Sequence, residues 1–395
     1  MINIDILNKL NAPTKEERLE NLRAVCAETT FPEVKPNYIN NHIHTKYSFS
    51  PYSPTAAVYA ARMEGLCTAG IIDHDSISGA QEFIEAGEIA GIPVTVGMEC
   101  RVNLIGTSLE NIKTNNPDQV GVSYCTIQSV PHDKIDELNA FFAPYRAARG
   151  ERNKKMIARI NGLIPGIDLD YERDVLPLSW ANEGGGVTER HLLFALARKL
   201  IGKFGKGQAM IDWLEGEQGL KLTEKQKTQL LDLEYPFYDY DLLSILKGEF
   251  IEKIYINAGP DECPSMKAVA DFCAKIDALF CPAYLGDVTN SVTGDKKPQK
   301  FEDDHLEEIL EVYRTLGARG ITYMPTRNTK EQLDKLRALC KVQGLFEVSG
   351  EDINGPRQSF IIKAMDNPEF ANLIDATWEL INHEKDGKWR NLKLG

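Results

Sequence analysis

The sequence predicts an α/β fold, a TIM-like β/α barrel interrupted by a helical insertion. Short apolar runs alternate with amphipathic stretches towards both ends of the chain, as in consecutive βα units. Between them lies a long stretch, rich in Arg, Lys, Glu and Leu, that shows helical periodicity. Polar residues follow several of the apolar runs directly, and in a β/α barrel the active site lies at those strand ends.

The predicted organisation has a prefix, a barrel and an insertion. Residues 1–35 form a polar helical prefix, residues 36–133 and 256–395 form the barrel, and residues 134–255 form the insertion. The first barrel strand ends at His42, and Ser53 and Pro54 are typical of the N-cap and first position of the helix that follows. Further strands are predicted at 67–72, 92–98, 121–127, 278–285, 321–324 and 345–349.

Five polar residues lie at or just after the ends of these predicted strands. They are His42, His74, Glu99, Tyr323 and Asp352. Because the carboxyl ends of barrel strands converge on one face, we expect these residues to meet in space although they are far apart in the chain.

Composition limits the classes of partner. The chain of 395 residues has a formal net charge of −13, which disfavours binding to a nucleic-acid polymer, because that affinity comes mainly from Lys and Arg. A small phosphorylated substrate in a local basic pocket remains compatible with this charge.

The eight cysteines are scattered without a CxxC pair and are expected to be reduced thiols. We find neither a leader pattern nor an apolar stretch of the ~18–20 residues that span a bilayer, so we expect a cytoplasmic protein without membrane contact. The sequence is compatible with a homo-oligomer and does not decide the oligomeric state.

The pair His42 and His44 is a candidate metal ligand set. In an extended segment, residues i and i+2 point to the same side, so both imidazoles can reach one cation. Neutral imidazole suits zinc, iron or manganese-like ions, with a carboxylate completing the coordination. The alternative is a chance pair on the surface.

Two further segments carry candidate groups. Asp73-His74-Asp75 adds a third imidazole between two carboxylates, although Asp75 could simply cap the next helix. Glu99 directly follows an apolar strand, where a carboxylate is costly to bury unless it is paired or bound to metal. It could also be a solvated strand end.

The motifs HIHT, IIDHDSISG, GIPVTVGMEC and GLFEVSGEDINGPRQ, in this order, resemble those of the polymerase-and-histidinol-phosphatase (PHP) superfamily of metal-dependent phosphoesterases. The resemblance implies a distorted seven-stranded β/α barrel with two or three metal ions. It also implies that His42, His44, Glu99 and Asp352 hold the first ion, that Glu99 bridges to a second, and that His74 binds a further ion.

The chain departs from the family pattern at several positions. Ser48-Phe49-Ser50 stands where the family has an acidic residue or a histidine, Asn354 replaces the last histidine of the final motif, and Tyr284 replaces a strand-end histidine. Asn354 could still bind a metal weakly through oxygen, and Tyr284 is a candidate substrate contact. We therefore expect one divalent ion (Zn, Mn or Fe), and a second is left open.

Substrate contacts are predicted among residues that suit phosphate recognition. Arginine forks bind phosphate well, and Arg357, with Gln358 beside it, follows the Asp352 motif. Arg327 follows a predicted strand, and Arg190 and His191 lie early in a helix behind the glycine run 184–186, a candidate lid hinge. Arg146, Arg149 and Arg152 recur three apart on one helix, which is typical of a surface stripe, though they could line the pocket.

The functional hypothesis is hydrolysis of a small phosphorylated metabolite or nucleotide by metal-activated water. Asp73 or His74 is the predicted acid–base partner, His191 is a further catalytic candidate, and Arg357 is predicted to neutralise charge in the transition state. Two alternatives remain: an amidohydrolase-like enzyme that cleaves C–N or C–O bonds, and a degenerate PHP module that binds a ligand without turnover.

Overall fold

The computed structural model describes residues 3–287, 302–390 and 392. It contains a seven-stranded sheet whose strands are adjacent in chain order, which confirms the predicted fold class. The strands are β1 (Lys35–Ile43), β2 (Leu66–His74), β3 (Val94–Asn103), β4 (Val122–Gln128), β5 (Leu279–Tyr284), β6 (Gly320–Tyr323) and β7 (Phe346–Ser349).

The sheet curls back on itself. Beyond β7, Ile353 forms a parallel bridge with Ile43 at the end of β1. The amide of His44 donates to the Ile353 carbonyl at 2.9 Å, and the amide of Ile353 donates to the His42 carbonyl at 3.1 Å. The loop that carries Asp352 is therefore joined to the histidines of β1 through the backbone.

Strand β4 departs from the βα rhythm that the sequence predicts. It pairs antiparallel with both β3 and β5, whereas β1–β2–β3 and β5–β6–β7 are parallel. The connection 104–121 between β3 and β4 contains turns and no helix. Parallel pairing of neighbouring strands requires a crossover connection, usually a helix, and without one the chain reverses direction. The reversed direction of β4 is how this sheet differs from a regular barrel, in which all strands are parallel.

Strand β3 is longer than the sequence predicts. The prediction ended the strand before Glu99, but β3 continues to Asn103 because Cys100 and Val102 pack into the core while Arg101 and Asn103 find buried partners. Glu99 therefore lies in the middle of a strand, opposite Thr126 of β4, and not at a strand end.

Helices flank the sheet and fill the central segment. They are α1 (Ile4–Leu10), α2 (Lys15–Glu28), α3 (Pro54–Met63), α4 (Ala80–Ala90), α5 (Ile135–Leu163), α6 (Glu189–Phe204), α7 (Gln208–Asp212), α8 (Glu224–Leu231), α9 (Tyr238–Ile254), α10 (Met266–Lys275), α11 (Leu306–Leu316), α12 (Lys330–Gln343) and α13 (Ala371–Asp386). Within the described ranges, none of them combines the length and apolar character needed to cross a membrane.

Local sequence signals set the helix ends. Ser53 caps α3, since its Oγ accepts from the amide of Ala56 at 3.0 Å, and Pro54 begins the helix as predicted. Helix α4 ends at Gly91, which adopts the left-handed conformation (φ +66°) that glycine takes without a steric penalty.

Two large apolar cores account for most of the buried apolar residues in the described part of the chain. The larger lies between the sheet and its flanking helices and includes Leu19 and Leu22 of α2. The second is formed by α5–α9 and the segments that connect them, and Phe49 of the β1–α3 loop also belongs to it. The segment 134–255 is thus helical and has its own core. The exact boundaries of the prefix, the barrel and the insertion stay a prediction.

The glycine run 184–186 is packed closely and does not have the freedom expected of a hinge. The Gly184 carbonyl accepts from the hydroxyls of Ser76 and Ser78, and the Gly186 amide donates to the Tyr47 carbonyl at 2.7 Å. A Cβ at Gly185 would lie 2.8 Å from that same carbonyl oxygen. These glycines allow the insertion to approach the barrel closely.

A buried ion pair attaches the N-terminal helices to the barrel. Arg18 of α2 is fully buried and donates to Glu82 of α4 at 2.9 and 2.6 Å. Its guanidinium carbon also lies 4.4 Å from the centre of the Trp180 ring in the insertion. Arg18 therefore connects the prefix, the barrel and the insertion.

Replacing Arg18 by Ala should lower the free energy of unfolding by about 3–5 kcal/mol, because it leaves the Glu82 carboxylate buried without its cationic partner. Urea denaturation followed by circular dichroism would measure the loss. Arg23→Ala, an exposed position on the same helix, is the matched control and should change stability by less than about 0.5 kcal/mol. Equal losses in the two variants would contradict the role assigned to Arg18.

Candidate metal centre

The four residues expected to hold the first metal ion converge on one point. His42 Nε2 lies 3.3 Å from Glu99 Oε2, and His44 Nε2 lies 3.2 Å from Asp352 Oδ1 and 3.6 Å from Glu99 Oε2. β1 supplies His42, the residue directly after β1 is His44, β3 supplies Glu99, and the loop after β7 supplies Asp352.

His74 joins the same cluster. Its Nδ1 lies 3.1 Å from Glu99 Oε2, and its ring centre is 4.5 Å from that of His44. Two overlapping groups, His42–His44–Asp352 and His44–His74–Glu99, each bring their ligand atoms within 4.8 Å of one another. His44 belongs to both.

The cluster has the chemistry of a cation site. His44 Nε2 is buried and makes no hydrogen bond, although it faces two carboxylates. Buried polar atoms are normally satisfied, and imidazole with carboxylate is a common ligand set for divalent transition ions. A cation between these groups would satisfy the orphaned nitrogen and both carboxylates, so the residues present fit such an ion.

The protonation states of the carboxyl and imidazole groups also suit a cation site. Burial alone would raise the pKa of Glu99, but His74, His42 and His44 lower it to about 2. Burial would also raise the pKa of Asp352, but His44, His42 and Arg190 hold it well below its usual value. Both carboxylates are therefore ionised at neutral pH. Burial lowers the pKa of His74 to about 3, so its ring is neutral, as a metal ligand must be.

Asn354 and Gln358 shape the Asp352 loop. The Asn354 amide nitrogen donates to Asp352 Oδ1 at 2.6 Å, so Asn354 supports the carboxylate and offers its nitrogen, not its oxygen, to this part of the site. Gln358 accepts from the amides of Asn354 and Gly355 and donates to the Asp352 carbonyl. These hydrogen bonds all lie within the loop, which does not favour the predicted substrate contact at Gln358.

Arg357 does not face the centre, contrary to the sequence-based prediction. It makes a two-pronged ion pair with Asp241 of α9 at 2.8 and 2.7 Å and lies over the Tyr235 ring. The insertion therefore holds the guanidinium away from the strand ends, because it provides a carboxylate that matches the fork. The predicted catalytic role of Arg357 is not supported by this position.

Arg327 and Tyr284 are likewise engaged elsewhere. Arg327 donates from Nε to the Leu285 carbonyl at 3.1 Å and is buried outside the cavity wall. Tyr284 does line the cavity, but its hydroxyl donates to Asp303 at 2.6 Å. Its ring, and not its hydroxyl, is what Tyr284 offers to a ligand.

Asp73 and His191 are also placed differently from their predicted catalytic roles. Asp73 is 1% exposed, and its two oxygens accept from Thr45 and Ser48 behind the histidines. His191 is 1% exposed and caps α6, where its Nδ1 accepts from the Thr188 amide at 3.0 Å. Neither side chain lines the cavity.

A cavity of about 130 Å³ lies over the centre, between barrel and insertion. Its barrel wall includes His42, His74, Glu99, Tyr124, Tyr323 and Asp352. Its opposite wall comes from the insertion and includes Arg149, Glu189, Arg190, Lys247, Ile251 and Tyr255. Arg190 is the predicted substrate-binding arginine that the structure does place at the cavity. Lys247, Tyr255 and Tyr124 were not predicted, since nothing in their local sequence distinguishes them from ordinary helix and strand residues.

The three arginines that were predicted to form a surface stripe or to line the pocket are partly or fully enclosed between insertion and barrel, and Arg149 lines the cavity. Arg149 pairs with Asp75 and Glu189, each at 2.6 Å, and Arg152 pairs with Glu189 and Glu262, each at 2.5 Å. Arg101 of β3 also pairs with Glu262, and Arg146 donates to the Asp75 carbonyl at 2.8 Å. The network includes Asp75, next to His74, Arg101, two residues after Glu99, and Glu189, next to Arg190. It therefore fixes the insertion over the centre.

Comparison with solved structures shows the same fold. A protein of Bifidobacterium adolescentis, provisionally assigned as a metal-dependent phosphoesterase, is similar with a TM-score of 0.53 and 19% identity, over 85% of this chain and 96% of that one. An amidohydrolase from Chromobacterium violaceum, with bound sulfate and no metal, is similar with a TM-score of 0.54 and 16% identity, over 86% of this chain and 96% of that one. At these identities the likeness concerns the fold alone.

Comparison with curated proteins found no match. The family model of the PHP domain matches residues 40–320, which include both histidines of the HxH motif, His74, Glu99 and the whole insertion. The match spans well over half of the chain and confirms the resemblance seen in the sequence motifs. This protein belongs to the PHP domain family.

Proposed function

We propose that this protein is a metal-dependent phosphoesterase that hydrolyses a small phosphorylated metabolite or nucleotide. The observation that carries the proposal is the convergence of His42, His44, Glu99 and Asp352 around the orphaned Nε2 of His44, beneath a cavity. Membership of the PHP domain family supports hydrolysis as the class of reaction.

The centre would hold a divalent ion such as Zn, Mn or Fe, with His42, His44, Glu99 and Asp352 as ligands and His74 beside them. The chemistry that such an ion supplies when bound is activation of water near neutral pH and polarisation of the bond to be cleaved. Asn354 orients Asp352 through its amide, and the backbone bridge between Ile43 and Ile353 keeps that loop against β1.

Arg190 is the residue proposed to bind the phosphoryl group. It lies in the cavity wall, close enough to Asp352 to affect the pKa of that carboxyl group. A guanidinium suits a phosphoryl group in charge and geometry, and stabilises the charge that develops during its transfer. Lys247 adds a second cationic side chain to the same wall.

His74 is proposed as a neutral ligand or hydrogen-bond acceptor and not as a proton donor. With a pKa of about 3, the imidazolium form, which is the form that could act as an acid, is not populated at neutral pH. Asp73 is enclosed by Thr45 and Ser48 and does not reach the cavity, so it acts through the other residues of the centre.

Two alternatives have specific support. Tyr284 and Asn354 direct their hydroxyl and amide groups to Asp303 and Asp352, which favours a centre with few ions and is compatible with ligand binding without turnover. One structural neighbour is an amidohydrolase, so cleavage of a C–N bond at the same centre is the other alternative.

Protein purified without chelator should retain a divalent transition ion, and His44→Ala should lower the affinity for it by more than about 100-fold. Loss of a direct ligand should exceed the roughly 10- to 100-fold cost of losing an outer partner. Metal analysis, followed by titration of chelator-treated protein with a metal buffer, would measure both. His305→Ala, which removes a histidine that is 45% exposed, is the control and should leave the affinity unchanged. A wild-type protein that binds no ion would refute the proposed centre.

Arg190→Gln should reduce kcat/KM for phosphomonoester hydrolysis by roughly 10²–10³-fold, because it removes one cationic donor from the transition state. Phosphate release from a panel of phosphomonoesters and nucleotides would measure the effect. Arg198→Gln, an exposed position on the same helix, is the control and should retain full activity.

The same assay distinguishes the alternatives. Metal-dependent release of phosphate by the wild type supports the phosphoesterase. Cleavage of amide or lactone substrates without phosphate release would favour the amidohydrolase alternative. A metal-loaded protein that hydrolyses neither class would favour the binding module.

A further inference from the structure

We propose that Ser48 and Asp73 form a hydroxyl–carboxylate relay that fixes the tautomer of His44, so that the unprotonated Nε2 faces the metal centre. The proposal concerns the proton arrangement behind the centre and rests on the proposed metal-binding function only for its purpose. Ser48 and Asp73 are positioning residues, because neither of them lines the cavity.

The Asp73 carboxylate accepts three hydrogen bonds from the turn that contains Thr45 and Ser48. Its Oδ1 accepts from the amide of Thr45 at 2.7 Å and from Ser48 Oγ at 2.6 Å. Its Oδ2 accepts from Thr45 Oγ1 at 2.6 Å. With three donors aimed at it, the carboxylate is the acceptor in each contact.

The proton count then determines what Ser48 does for His44. A serine hydroxyl has one proton to donate, and Ser48 donates it to Asp73. Ser48 Oγ also lies 3.2 Å from His44 Nδ1, and with its proton committed the oxygen must accept there. Nδ1 therefore carries the N–H, and in a neutral imidazole this leaves the lone pair on Nε2.

The far side of the ring fits this assignment. His44 Nε2 is buried without a hydrogen-bond partner and lies 3.2 Å from Asp352 Oδ1 and 3.6 Å from Glu99 Oε2. A lone pair that faces two carboxylates is unfavourable unless a cation or a proton lies between them. Metal-binding histidines commonly donate their other ring N–H to an acceptor that fixes tautomer and orientation. Here the acceptor is a hydroxyl, with the carboxylate behind it.

The turn that carries Ser48 is held from two sides. Ser48 and Phe49 both donate their amides to the Thr45 carbonyl, at 3.0 and 3.1 Å. Phe49 has a φ of +141°, which is strained for a residue with a side chain, and its ring packs into the apolar core of the insertion against Phe194. The insertion thus helps to keep Ser48 in register with His44.

The test compares Ser48→Ala with Ser50→Ala, a buried serine of the same loop that does not contact His44. The affinity of the chelator-treated proteins for Zn²⁺ is measured with metal buffers, and thermal melting of the metal-free proteins checks that they fold. Ser48→Ala should weaken Zn²⁺ binding roughly 10- to 100-fold, as for other outer partners of metal-binding histidines. Ser50→Ala should bind as the wild type does, and Ser48→Thr, which keeps the hydroxyl, should restore most of the affinity.

A second readout does not depend on metal. The ¹⁵N chemical shifts of the His44 ring, recorded on metal-free protein at a pH where the ring is neutral, should show Nδ1 protonated in the wild type and a mixture of tautomers in Ser48→Ala. Unchanged shifts in Ser48→Ala would overturn the relay, as would equal losses of Zn²⁺ affinity in the two alanine variants. If the wild type bound no ion at all, the proposed function would fail, and the ring shifts would still decide whether the relay exists.

Discussion

Burial of two ionised carboxylates beside three imidazoles is the constraint on which the rest of the site depends. Glu99 and Asp352 come from opposite ends of the chain, and an unpaired charge in such surroundings is costly. Contacts with the imidazoles, and with Arg190 at Asp352, compensate part of that cost, and the pKa values of both carboxyl groups fall although burial would raise them. A bound cation would complete the compensation. The fold therefore holds these side chains in an arrangement that a cation would stabilise.

The insertion contributes as much to the site as the barrel does. A set of buried arginines and carboxylates joins the two, with Arg149 and Arg152 of α5 shared between Asp75, Glu189 and Glu262. Such pairs stabilise only when each charge keeps its partners, so the network tolerates little displacement of the helices. Helix α6, which supplies Glu189 to this network, also carries Arg190 to the cavity, and α9 adds Lys247 to the same wall.

The residues that were misplaced by sequence reasoning share a physical feature. Arg357, Asp73 and His191 all lie near the centre in the chain or in space, yet each is hydrogen-bonded to partners outside the cavity. A polar side chain turns towards whichever partner best satisfies it, and that choice depends on segments far away in sequence. Asp241, which holds Arg357, lies 116 residues from it. Chemical type alone therefore identified candidates, and could not tell which of them face a ligand.

Local patterns in the sequence were sufficient to predict the fold class, most strands, several helix caps and the four residues that converge in the candidate metal centre. The spacing of His42 and His44 and the ends of apolar runs are properties of neighbouring residues, so they can be read without coordinates. Only the tertiary structure decided the reversal of β4, the extension of β3 beyond Glu99, and the cavity wall formed by the insertion. These features depend on pairing between distant segments, where hydrogen bonds and charge burial are satisfied jointly, and no local pattern encodes that outcome.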